Sequence, residues 1–99
     1  MTKYRKRPVV IEAFQMTKER RMDNSDWPSW LNEAWQKKRD EAGALFRYNL
    51  GADLPDQLCI WTLEGAHLVG WGDWIIRGVK GELYPCNPEI FEMTYEAVE

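Results

Sequence analysis

Hydrophobic and polar positions change their spacing along this chain, and each change predicts an element. From Pro8 to Met16 the residues are mostly β-branched or apolar, which predicts a buried strand. Pro8 suits the start of that strand, because it has no N–H to give to a ladder. Thr17 to Ser25 is polar and charged and reads as a connection. A helical period follows. Trp27, Trp30, Leu31, Ala34 and Trp35 fall at i, i+3, i+4, i+7 and i+8, an apolar stripe on one helix face. Asp26 stands at the N-cap and Pro28 in the first turn. Glu33 and Lys37 form an i,i+4 pair off the stripe, and Lys37-Lys38-Arg39 suits the C-terminal end of the dipole. Gly43 is the predicted stop. The helix tryptophans read first as core packing against a sheet, and as a stacking platform for bases only if their rings are exposed.

After Ala44 the pattern turns to short strands. Leu45 to Tyr48 is a weak one, and Leu50 to Asp56 is a loop by its Gly, Pro and Asp content. Gln57 to Leu63 is a strand with Cys59, Trp61 and Leu63 on one face. Glu64-Gly65 turns it into a hairpin partner over Ala66–Trp71. Trp74 to Arg77 is a strong apolar strand, and Gly78-Val79-Lys80-Gly81 turns into Glu82-Leu83-Tyr84. Pro85 to Pro88 interrupts the sheet, Asn87 caps a helical turn starting at Pro88, and Met93 to Val98 reads as a last strand. The expected fold is α+β: one amphipathic helix on a bent, mostly antiparallel sheet or small open barrel of five to seven short strands. Ile11, Trp30, Trp35, Trp61, Trp74 and Ile76 are the expected core.

Length and composition narrow the function classes. The 99 residues make a single domain, 1–99, with room for one core. At 44% hydrophobic and 29% charged residues the chain reads as globular. The net charge of −3 hides an asymmetry. Residues 1–50 hold 11 Lys/Arg and 7 Asp/Glu, a net of +4; residues 51–99 hold 2 and 9, a net of −7. This weighs against a nucleic-acid binder, although Lys3 to Arg7 is basic enough to touch phosphates. No signal-like apolar run opens the chain and no membrane-length apolar window exists, so a cytoplasmic protein with free Cys59 and Cys86 is expected.

Candidate chemistry is sparse. His67 is the one histidine, and its spacing from Cys59 and Cys86, 8 and 19 residues, matches no zinc finger. No metal or cofactor is expected. A cysteine nucleophile would have only His67 as its base. Asp53 with Asp56, or Glu64 with Asp73, are carboxylate pairs that abundance alone explains. Gly78-Val79-Lys80-Gly81 lacks the frame of a phosphate loop. The expectation is not an enzyme.

The segment Gly72-Asp73-Trp74-Ile75-Ile76-Arg77-Gly78-Val79-Lys80-Gly81-Glu82-Leu83-Tyr84-Pro85-Cys86-Asn87-Pro88, with Phe91 and Thr94-Tyr95-Glu96, resembles the signature of small phage and prophage proteins of unassigned function. Tyr4 to Ala13 and Thr62-Leu63-Glu64-Gly65 resemble the same family, while residues 17–57 look individual. Gly70-Trp71-Gly72-Asp73 departs from it, since the family often has Pro before Gly-Asp. The resemblance implies an accessory protein in the bacterial cytoplasm and no reaction.

Asp73, Arg77, Lys80 and Glu82 are not needed for a sheet to fold, so with Trp71 and Tyr84 they form the candidate binding site. The leading expectation is a protein-binding module for a host or phage protein, with exposed aromatics inside a charged rim. A homodimer is also expected, because small Trp-rich domains often bury an apolar patch symmetrically. The alternative is a small-molecule protein that sequesters a nucleotide signal of host defence, with Trp71 or Tyr84 beside Arg77 or Lys80.

Overall fold

The computed structural model describes residues 2–5, 7–48 and 57–98. The predicted loop over Leu50–Asp56 and the Asp53–Asp56 pair lie outside the described residues. The fold is α+β. Strand β1 (Glu12–Gln15) leads through helix α1 (Lys18–Met22) and a 3-10 turn (Asn24–Asp26) to helix α2 (Ser29–Gln36). Strands β2 (Leu45–Tyr48), β3 (Gln57–Thr62), β4 (Gly65–Val69), β5 (Trp74–Arg77) and β6 (Leu83–Cys86) follow, and helix α3 (Pro88–Thr94) comes last. The strands form two three-stranded antiparallel sheets, ordered β1-β5-β6 and β2-β3-β4. Strand β6 packs against β3 and β4 and joins the sheets.

The core lies between the sheets and α2. Phe14, Ile75 and Leu83 point into it from one face of the first sheet, and Leu45, Leu58, Ile60 and Val69 from the second. Leu31 and Ala34 of the predicted stripe close it, with Trp30 and Trp35 packed half-buried beside them. The best-buried tryptophan is Trp27, which precedes α2. It meets Trp35 edge-on at 5.8 Å, and its Nε1 donates to the Arg20 carbonyl at 2.7 Å. Of the six residues expected in the core, Ile76 alone is fully buried; Ile11, Trp30, Trp35, Trp61 and Trp74 are half-buried.

Several expectations change. The helix starts at Ser29 behind Pro28, and Asp26 belongs to the 3-10 turn instead of capping it. It ends at Gln36, well before Gly43, because the stripe's next positions are Lys38 and Glu41, which have nothing to bury. Lys37 donates to the Ala42 carbonyl at 3.2 Å instead of pairing with Glu33. The charged connection holds α1. A five-residue helix is too short to stand alone. Thr17 caps it by accepting from the Arg20 N–H, and Arg20 lies 4.7 Å over the Phe14 ring while Arg21 lies 4.9 Å over Trp35. The β3–β4 hairpin turns on Leu63-Glu64, so Leu63 leaves the expected strand face and is 98% exposed. Gly65, at φ +112°, supplies the backbone that turn requires.

Both termini also differ. The first strand pairs only over Glu12–Gln15, and Val9 and Val10 are exposed. Strand β6 runs through Pro85, tolerated because β6 is an edge strand. Asn87 accepts from the Glu89 N–H at 2.8 Å and Pro88 opens α3, as predicted. The helix then occupies residues expected in a last strand, and 95–98 form no strand.

Candidate functional site

Five of the six residues singled out in the sequence have structural duties. Asp73 accepts from the Gly70 N–H at 2.8 Å, and its own N–H donates to the Gly70 carbonyl, so it closes the turn from β4 to β5. Trp71, in that turn, packs half-buried against the core. Glu82 accepts from the Lys80 N–H at 2.9 Å, bracing the β5–β6 turn. Arg77 pairs with Glu12 across the β1–β5 ladder at 3.3 Å, exposed at both ends. Tyr84 lies half-buried on the opposite face of that sheet from Arg77, because Arg77 faces Leu83 and Tyr84 faces Ile76. Lys80 stands exposed in the turn.

The six therefore do not converge. Glu82 and Tyr84 share a shallow concavity of about 350 Å³ with His67 and Leu63. Arg77 lines a separate cleft of about 200 Å³ with Trp30, Glu33 and Lys37. Neither cleft contains Trp71, and neither joins Tyr84 to Arg77 or Lys80. Among the described residues no His, Cys, Asp and Glu side chains group as a metal site requires, and no helix is long and apolar enough to cross a membrane.

A larger concavity lies elsewhere. It is an apolar groove of about 540 Å³ between the extended segment Pro8–Ile11 and the end of α3 with its tail. Its floor is Ala13, Trp74 and Phe91. The sequence builds it locally. The Asn87 cap and Pro88 set the direction of α3 across the face of the first sheet that points away from the main core. Phe91 then stacks on Trp74 with ring centroids 4.1 Å apart and planes 7° off parallel, and Tyr95 leans on Phe91 at 5.1 Å. That aromatic stack is the helix's anchor, since none of its residues is buried. The walls stay apart because neither 8–11 nor 96–98 pairs as a strand, so apolar side chains face solvent across the opening. Val10 in the lining is 76% exposed, and Val9 and Val98 are exposed with it.

Protein-family models, curated proteins and solved structures were all compared with this chain, and none matches.

The groove's floor carries no ionisable side chain, and Tyr84 meets its wall through Tyr95. Burial pushes the Tyr84 hydroxyl up to about 12, helped by its hydrogen bond with Tyr95 and by the nearby Glu82 and Cys86. Burial also raises both thiols, of Cys59 and of Cys86, the latter with help from Asp73. Both therefore stay protonated at neutral pH, the less nucleophilic form. The Tyr84 shift has a defined sign. The unfolded chain releases this proton near 10 and the folded chain near 12, so stability is unaffected below pH 10 and falls as pH rises from 10 to 12. An ultraviolet phenolate titration should show a tyrosine that ionises late, and Tyr84→Phe should remove that step. A titration in which every tyrosine ionises near 10 contradicts the assigned burial.

Proposed function

We propose that this chain is a non-enzymatic protein-binding module whose contact surface is the groove between Pro8–Ile11 and α3. In this reading it is a phage or prophage accessory protein that works in the bacterial cytoplasm, as the resemblance of residues 72–96 suggests. The observation that carries the binding role is the groove itself: an open apolar floor with large aliphatic side chains exposed around it. Contiguous exposed apolar surface is costly in water and marks contact sites for other proteins. The surroundings fit an interface, with an apolar centre and a charged rim. Lys3, Arg5 and Arg7 precede one lining segment, Glu96 lines the other and α3 carries Glu89 and Glu92, all exposed. The Tyr84, Arg77 and Lys80 region offers no comparable surface, because its side chains are divided between two faces of one sheet.

The reading is tested by affinity capture from a bacterial host lysate with three forms of the chain. The wild type should retain a protein partner, which includes an untagged second copy. Val10→Glu puts a charge into the groove wall at an exposed position, so it should fold normally and lose that partner. Leu63→Glu, at the distant β3–β4 tip, should retain it. Equal retention by Val10→Glu and the wild type contradicts the groove as the contact surface.

A further inference from the structure

We propose that the groove's occupant is a second copy of this chain, arranged so that the basic arm of each protomer lies along the acidic α3 and tail of the other. This rests on the groove being a protein contact surface and adds the identity of the partner.

Charge complementarity carries the argument. The arm leading into the groove carries Lys3, Arg5 and Arg7, while Glu96 lines the opposite wall and α3 carries Glu89 and Glu92. All six are exposed, and among the described residues no ion pair joins the two sets within the chain. A cationic segment thus leads into one wall of the groove, and an anionic segment carries the other. A foreign partner would need both signs in matching places. A second copy related by a two-fold axis has them by construction, because in such a contact each patch meets its own counterpart. The arrangement also accounts for the asymmetry of net charge between the halves of the chain, +4 and −7.

Size and shape agree. Residues 2–5, 7–11 and 88–98 amount to roughly 20 residues, within reach of the 20–30 a side that a standard interface uses. The arm has little to hold it in its own chain: residues 2–5 and 7–10 are all exposed, and Tyr4 is 93% exposed. The radius of gyration, 14.5 Å, exceeds the roughly 13 Å of a compact chain of this length. Pairing two grooves would cover Val9, Val10 and Val98 of both protomers, and removing that apolar surface from water supplies the driving force. The ion pairs would select the orientation and make association depend on salt.

The test is sedimentation velocity of the full chain at tens of micromolar, in low and in high salt. The wild type should sediment as a dimer, twice the 11.7 kDa chain mass, and weaken as salt rises. Arg5→Glu with Arg7→Glu should raise the dimer dissociation constant roughly tenfold or more, and so should Glu92→Lys with Glu96→Lys. Mixing these two double variants should restore a dimer of one of each, because the reversed arm then meets the reversed helix in one contact and the native arm meets the native helix in the other. Circular dichroism of each variant separates lost association from lost folding, and all the changed positions are exposed. A monomeric wild type overturns the inference, and so does a dimer that ignores both charge reversals. A mixture that stays monomeric overturns it too, because arm and helix would then be meeting within one chain. The reading of the groove as a protein contact fails separately, when Val10→Glu retains whatever partner the wild type captures.

Discussion

Trp27→Ala lowers the unfolding free energy by about 3–5 kcal/mol, the range for deleting a buried large aromatic side chain. Each kcal/mol moves the melting temperature of a chain this size by about 4–8 °C, so the midpoint falls by at least about 12 °C. The magnitude follows from three losses at one position. The ring is 6% exposed within the main core, so its removal leaves a cavity. It holds Trp35 edge-on, and Trp35 in turn carries the Arg21 guanidinium. Its Nε1 satisfies the Arg20 carbonyl near the end of α1, a helix too short to persist alone. Trp27→Phe keeps most of the volume and loses the hydrogen bond, so it should cost about 1 kcal/mol plus a small cavity term. Urea unfolding of both variants measures the difference. A Trp27→Ala variant within 1 kcal/mol of the wild type contradicts the placement of this ring.

The second large effect is on the groove. Phe91→Ala should release α3 while leaving the two-sheet body folded. The helix has seven residues, none buried, and its Phe91 ring lies flat on Trp74. Without that ring the chain beyond Asn87 has only Tyr95 and weak local contacts to order it. The ring is half-buried, so the global cost should be about 1.5–2.5 kcal/mol, roughly half that of a core phenylalanine. The local consequence is larger. Amide exchange should show residues 90–94 exchanging freely while Leu58–Ile60 remain protected, and partner capture should be lost with the groove floor. Continued protection of α3 would mean that something other than the Trp74–Phe91 stack fastens it.

The parts of the fold legible in the sequence are those where one local signal suffices. The α2 stripe shows because Leu31 and Ala34 must be buried on a helical period, and they are. The Asn87-Pro88 start of α3 shows because a cap and a proline at the first helical position are local chemistry. Trp74–Arg77 shows as a strand with Ile75 and Ile76 buried. What remained hidden depends on distant partners. Lys18 to Met22 has no apolar stripe, and α1 is fastened by arginines over Phe14 and Trp35, which no period reveals. Val9 and Val10 have the composition of a buried strand, yet no neighbouring strand pairs with them. The residues after α3 likewise join no strand.

The candidate site was hidden for the same reason. A groove made where two segments fail to pair has no signature of its own. The charged residues that did stand out, Asp73 and Glu82, are explained by the turns they close, at Gly70 and at Lys80. An ionisable residue at a glycine-rich turn is as well explained by bracing backbone N–H groups as by a ligand.

The most direct test is site-specific photo-crosslinking in bacterial cells, with benzoylphenylalanine placed singly at position 10 and at position 80. Val10 lines the groove at an exposed position, and Lys80 marks the β5–β6 turn among the residues that the sequence singled out. A protein adduct from position 10 and none from position 80 is the result this account predicts. An adduct from position 80 with none from position 10 would place the contact surface on the turn and contradict it.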